Sequence, residues 1–282
     1  MIPFDFEYYR PETATEAVTL YTDLAGRGKN ARYFGGGTEI ISFCRLYQLY
    51  PHAVIDIKGI PELNTFEQKN GKLFIGAAKT LSQIQESNLF PLLNYCGGRV
   101  ADHTIRNKIT LGGNLCAMIP YRETSLALLV SEAELVIQNR KGKKILPISE
   151  IFHESLRLED GDLLMGVHIR EECLGAPFVC LKKTSDGNVG YPQDRVGYPV
   201  VSVAAMRADN KIQAAFSGVC IFPFRSRTVE EVFNKSNLPR EEKIRQAVEV
   251  IPAAIHDDMI SSAGYREFVL KSMMAEILER LE

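Results

Sequence analysis

No two cysteines in this chain have the C-x-x-C spacing. Its six cysteines, Cys44, Cys96, Cys116, Cys173, Cys180 and Cys220, are scattered, so zinc or iron–sulfur ligation within the chain is not expected. They read as buried free thiols in a reducing compartment. The five histidines, His52, His103, His153, His168 and His256, show no metal-ligand spacing either. No apolar run is long enough to span a bilayer. The start, Met1-Ile2-Pro3-Phe4-Asp5-Phe6-Glu7, has neither the basic n-region nor the apolar h-region of a signal peptide. A cytoplasmic location is therefore expected. A formal net charge of −2 gives no reason to expect nucleic acid or an anionic membrane as the main partner. There is no internal repeat, no low-complexity tract, and no nucleophile–base pair or acid–base dyad. That silence fits chemistry carried by a bound cofactor, for which protein supplies position and electrostatics.

What the chain has is glycine in pairs. Gly35-Gly36-Gly37-Thr38 and Thr110-Leu111-Gly112-Gly113-Asn114 each follow an apolar or β-branched approach and lead into another apolar segment. Without a Cβ, such turns let another group approach the backbone, whose N–H groups suit a phosphate. Two of them, separated by a plausible βα unit, suggest a clamp on a pyrophosphate and hence a dinucleotide. The Rossmann fingerprint is absent, because the third glycine of G-x-G-x-x-G is replaced by Ile40.

With 282 residues, 45% hydrophobic and 24% charged, the chain has an ordinary globular composition and can bury a core divided among two or three small domains. Thr13 and Glu16 form a capping-box pattern before an apolar-periodic helix that Gly26 can stop. Ala31 to Phe34 reads as a strand, Thr38 to Tyr50 as a helix and Ala53 to Ile57 as a second strand. Gly59 and Pro61 mark a boundary. Leu73 to Ala77 follows as a strand, and Thr80 with Gln83 starts a helix. Pro91 starts another, ended by Gly97-Gly98. Leu126 to Ala133 reads as a buried helix. Glu134 to Gln138 and Lys144 to Ile148 form a hairpin. A third region begins near Cys173, with a strand from Phe178 to Lys183 and a hairpin around Asp209-Asn210. The rest reads as helical, with one helix carrying Pro239 at N1 and one from about Tyr265 to Leu281.

These residues resemble the FAD-binding subunit of molybdenum hydroxylases, the xanthine dehydrogenase and carbon monoxide dehydrogenase flavoprotein family. That family's first motif reads approximately A-G-G-T-D, and here Phe34-Gly35-Gly36-Gly37-Thr38-Glu39 stands in its place. The second reads approximately I-R-N-x-x-T-x-G-G-N, which Ile105 to Asn114 matches at every specified position. A third echo is Asp257-Asp258 followed by Ser262-Ala263-Gly264-Tyr265-Arg266.

The resemblance implies an α+β chain. Two α/β subdomains of the FAD-binding PCMH type, residues 1–58 and 59–173, precede a C-terminal domain, 174–282, with a three-stranded antiparallel sheet and helices. It implies FAD as cofactor, with a molybdopterin-binding large subunit and an iron–sulfur small subunit as partners. Electrons then pass through FAD to NAD or another acceptor. The alternatives are a non-catalytic binding or assembly module with the same fold, and a stand-alone flavin reductase.

The family pattern places both glycine turns on the FAD pyrophosphate. The candidate contacts are Phe34, Gly35, Gly36, Gly37, Thr38, Glu39, Ile40, Thr110, Gly112 and Gly113. Asn114 either bonds the ligand or holds the loop. Glu123 falls at an acidic family position suited to sugar hydroxyls, or it is a helix N-terminal charge favoured by the dipole. Lys182, with Lys183 beside it, aligns with a family lysine that stabilises negative charge on the flavin or binds the phosphates. A solvated strand lysine is the other reading. Met118 and Ile119 stand where the family has smaller or more polar residues. Arg106 either pairs with a phosphate or anchors its loop through backbone carbonyls. The loop Asp186 to Tyr198 is expected near the flavin or a partner, where Tyr191 and Tyr198 either stack on a ring or sit on a plain surface.

Overall fold

A computed structural model describes residues 2–184 and 197–282. The first layer is parallel. Strands β1 (Glu7–Tyr9), β2 (Ala31–Phe34) and β3 (Ala53–Asp56) order as β1-β3-β2. Crossovers through α1 (Ala14–Gly26) and α2 (Thr38–Arg45) join them, as parallel neighbours require. The Thr13 hydroxyl accepts from the Glu16 N–H and starts α1. The Glu16 carboxylate reaches the Glu12 N–H at 2.8 Å, one residue before the position a full capping box requires. Helix α2 ends at Arg45 rather than running to Tyr50, because Tyr47 takes φ 57 and closes the turn.

The second layer is antiparallel. After a 3-10 turn at Pro61–Asn64, strands β4 (Phe66–Lys69) and β5 (Lys72–Gly76) form one edge. Helices α3 (Leu81–Ser87), α4 (Pro91–Gly98), α5 (His103–Arg106), α6 (Leu111–Leu115) and α7 (Thr124–Val130) follow. The hairpin β6 (Glu134–Asn139) and β7 (Gly142–Pro147) leads to α8 (Ile148–Ile151) and the short ladder β8 (Phe152–His153) with β9 (Ser155–Leu156). Strand β10 (Leu163–Arg170) then inserts between the two edges, giving β4-β5-β10-β6-β7. The Thr80–Gln83 capping box is complete at the start of α3.

After α9 (Glu171–Leu174) comes the third sheet: β11 (Phe178–Thr184), β12 (Pro199–Ala208), β13 (Lys211–Ser217) and β14 (Phe224–Arg225), antiparallel in that order. Its fourth strand is only two residues long, so the expected three-stranded sheet gains a short edge. Asp209 and Asn210 both adopt positive φ in the hairpin turn, as a two-residue connection requires. Helices α10 (Arg227–Phe233), α11 (Arg240–Glu249) and α12 (Ala263–Leu281) close the chain. Pro239 is the cap before α11 rather than its first helical residue.

This third sheet is buried on both faces. Ala204, Met206 and Ala215 pack with Leu92, Leu93, Leu126 and Leu129 of α4 and α7. Val201, Val203, Ala205 and Phe216, on the alternate positions, pack with Phe233, Leu270, Met274 and Ile277 of α10 and α12. One strand thus serves two cores through its period of two, which explains the nearly unbroken apolar run from Pro199 to Met206.

Candidate functional site

The two glycine bends come together. A Cβ built on Gly36 would lie 1.7 Å from the Lys108 carbonyl oxygen, and one on Gly35 would lie 2.9 Å from Thr110 Oγ1. Backbone therefore runs against backbone where only hydrogen fits.

The first bend leaves β2 at Phe34 and enters α2 through Gly37, whose φ of 72 is left-handed. The Phe34 ring folds beneath it, so that a Cβ on Gly37 would sit 2.2 Å from Phe34 Cζ. Lys58 Nζ rests 4.5 Å from the same ring's centre. Among the described residues, nothing accepts a hydrogen bond from the backbone N–H groups of Gly35, Gly36, Gly37, Thr38, Glu39 or Ile40. No side chain caps α2. This row of open donors stands at the positive end of a helix dipole, which favours an anion. The Glu39 carboxylate accepts from the Met118 N–H, at 3.0 and 3.1 Å to its two oxygens, and so joins α2 to the segment after the second bend.

The amides of the second bend are taken by protein acceptors. Leu111 N–H donates to Lys79 O at 2.9 Å, Gly112 N–H to Ala77 O at 2.8 Å and Asn114 N–H to Thr110 O at 2.9 Å. Gly113 N–H donates to Thr110 Oγ1 at 3.0 Å. Thr110 also bridges Thr80 in an isolated antiparallel pair. A side chain on Gly112 would press on Ala77, 2.9 Å from its Cβ and 3.1 Å from its oxygen. Glycine permits close packing in both bends, but only the first leaves its N–H groups open.

Glu123 and Lys182 form a second cluster, tied to the second bend through Asn114. The Asn114 side-chain oxygen accepts from Thr124 Oγ1 at 2.5 Å, at the start of α7. This bond joins the second bend to α7. Glu123, the residue before α7, meets Lys182 Nζ at 3.0 Å, and their side chains are only 8% and 6% exposed. Glu123 also accepts from Ser202 Oγ at 3.1 Å. Lys182 donates to Glu123 Oε2 at 3.2 Å and to Arg99 O at 2.7 Å. Burial pushes the Glu123 carboxyl upward from its ordinary pKa, while Lys182 and Ser202 pull it back. Lys183, on the next position of β11, is exposed.

Arg106 anchors its loop, donating to Val100 O at 3.2 Å and Ala101 O at 2.7 Å. The Met118 side chain is 77% exposed, so its extra bulk projects outward. Arg122, at φ 27, pins the 117–122 segment by bonding Ala117 O and Glu154 O. Tyr198 stacks on Tyr121, with ring centres 5.2 Å apart. Tyr191 and most of the Asp186 to Tyr198 loop lie outside the described residues.

The third echo forms a clasp. Arg266, fully buried, donates to Val200 O at 2.5 Å, Gly218 O at 2.7 Å and Asp258 Oδ1 at 2.7 Å. Sequence reasoning passed over Ser202, whose signal is a lone hydroxyl in an otherwise apolar strand. The pairing of the Thr80 cap with Thr110 likewise carries no local pattern.

The donor row of the first bend and the side-chain-free approach between the bends fit a pyrophosphate. A family described as the FAD binding domain in molybdopterin dehydrogenase matches residues 4–170. The carbon monoxide dehydrogenase medium chain of Hydrogenophaga pseudoflava is 27% identical over 175 residues, spanning 60% of this chain and 60% of that one. The match thus spans less than two thirds of that relative's length. The xanthine dehydrogenase FAD-binding subunit of Escherichia coli O157:H7 is 25% identical over 93% of this chain and 89% of its own. Among solved structures, carbon monoxide dehydrogenase from Hydrogenophaga pseudoflava superposes with a TM-score of 0.85 at 21% identity, covering 100% of this chain and 98% of that one. Quinoline 2-oxidoreductase from Pseudomonas putida 86 gives 0.84 at 18%, covering 99% and 97%. At such identities the superpositions establish the fold, and the sequence match to more than half of the chain establishes the kinship. The chain belongs to the FAD-binding domain family of molybdopterin dehydrogenases.

Proposed function

We propose that this chain is the flavoprotein subunit of a molybdopterin-dependent dehydrogenase. Electrons leave a molybdopterin-binding large subunit, cross the iron–sulfur clusters of a small subunit, and pass through FAD here to NAD or another acceptor. FAD supplies the redox chemistry when bound, and the chain binds and orients it. The open N–H groups from Gly35 to Ile40 receive the pyrophosphate, with Phe34 supporting their turn. Thr110, Gly112 and Gly113 form the facing wall and keep it free of side chains. Glu123 and Lys182 act through each other, holding the third sheet against the helix that follows the second bend. The division 1–58, 59–173 and 174–282 is proposed on the three sheets, and a cytoplasmic site of action on the unpaired thiols. Among the described residues, no helix is long and apolar enough to cross a membrane.

The observation that carries this reading is the row of open donors lying against the second glycine bend. The test is to purify the chain and release its ligand by heat. A yellow protein that liberates FAD, and that co-purifies with a molybdopterin subunit and an iron–sulfur subunit, supports the reading. A colourless chain that refuses added FAD assigns it to assembly instead. Turnover of a small substrate by this chain alone makes it a separate reductase.

A further inference from the structure

Two of the scattered cysteines meet. Cys96 lies on α4 and Cys180 on β11, 84 residues apart in sequence, yet their sulfurs are 3.6 Å from each other. That is close to van der Waals contact for sulfur. A disulfide bond measures about 2.05 Å, so the two atoms need only approach by roughly 1.5 Å. Helix α4 belongs to the second layer and β11 to the third, and the pair sits on the seam between them.

The surroundings separate the two thiols chemically. Cys96 is 4% exposed, while Cys180 is half-buried. Contact between the two sulfurs pulls the Cys180 pKa down; burial and the Glu123 carboxylate oppose this, while Arg99 and Lys182 add to the lowering. The same contact and deeper burial push Cys96 up. Beside them is a cavity of about 10 Å³ lined by Arg99, Glu123, Lys182 and Ser202 as well as both cysteines. That is room for one water-sized molecule. Cys180 has the features of an attacking thiol, and Cys96 those of a buried resolving partner.

We infer that Cys96 and Cys180 form a reversible disulfide that fastens the second layer to the third, with hydrogen peroxide as the oxidant. The Cys180 thiolate attacks one peroxide oxygen, the O–O bond breaks and hydroxide leaves. Cys180 is then a sulfenic acid. The Cys96 sulfur attacks it, the S–S bond forms, the S–O bond breaks, and the Cys96 proton leaves in water. In total, two thiols and one peroxide give one disulfide and two waters. Because Cys180 and Lys182 share a face of β11, the bond tightens the strand that also carries the Glu123 ion pair.

The test treats the full chain with one equivalent of hydrogen peroxide, alkylates the remaining thiols and maps peptides without reduction. The expected product links the Cys96 and Cys180 peptides and leaves four of six thiols titratable, with all six restored by dithiothreitol. The oxidised chain melts on the order of 5–10 °C higher, because the bridge closes a long loop. In Cys96→Ser the link is absent and Cys180 is captured by dimedone as the sulfenic acid. Six intact thiols, a link between other cysteines, or over-oxidation of Cys180 with Cys96 still free would each overturn the inference. Peptide mapping of the unaltered chain decides the matter even if the variant fails to fold, and it does not depend on whether FAD is present.

Discussion

The two glycine bends look alike on paper and do different work. In the first, no protein group among the described residues takes the N–H groups from Gly35 to Ile40. In the second, Leu111, Gly112, Gly113 and Asn114 all donate to protein acceptors. The first bend leaves its amides open, and the second fits against Ala77 and the first bend. A doubled glycine therefore reports only that side chains are excluded. The hydrogen-bond accounts of the individual amides tell which bend still has donors to offer.

The largest effect is expected from Gly36→Ala. Its Cβ falls on the Lys108 carbonyl, a backbone atom that cannot swing aside. The bends must separate, so FAD retention through gel filtration should drop by roughly 100-fold or more. Stability measured by urea unfolding should fall by about 2–3 kcal/mol. Retention of stoichiometric FAD by a folded Gly36→Ala chain would refute the assignment of the first bend as receptor.

Gly112→Ala should reverse the balance. Its methyl presses on Ala77, so the cost appears mainly in unfolding, about 1–3 kcal/mol. FAD affinity, titrated by quenching of flavin fluorescence, should weaken far less than in Gly36→Ala. Equal losses of affinity in both variants would erase the distinction between the bends.

Thr110→Val removes the acceptor of the Gly113 N–H at constant shape. The expected cost is about 1 kcal/mol in the urea midpoint, with Thr110→Ser restoring most of it. Met118→Ala should change least, within about 0.5 kcal/mol in stability and about twofold in FAD affinity, since its side chain projects outward. A large gain in affinity on that truncation would instead place Met118 over the cofactor.

Local chemistry was legible in the sequence and long-range pairing was not. The Thr80–Gln83 box, the Asp209-Asn210 turn and the strand before the first bend are all set by neighbours a few residues apart. Strand β10 carries no such local signal, although it is the centre of the second sheet. Its run from Leu163 to Arg170 is interrupted by Gly166, and its partners β5 and β6 lie far back in the chain. Gly166 is itself a product of that pairing, since a Cβ there would come within 2.4 Å of the Ile75 oxygen. Glu123 and Lys182 each read as candidate site residues in the sequence. That they neutralise one another is a fact of tertiary packing, created by α7 and β11 meeting across Ser202.

The two-faced third sheet sets a limit on dissection of this protein. Residues 4–170 carry the family match, yet a fragment cut there loses Ala204, Met206 and Ala215 from the surface of α4 and α7. It would be left with a bare apolar wall and with Glu123 deprived of its only ion-pair partner among the described residues. Such a fragment should aggregate rather than report on the cofactor. The stretch that defines the kinship is thus not expected to stand alone.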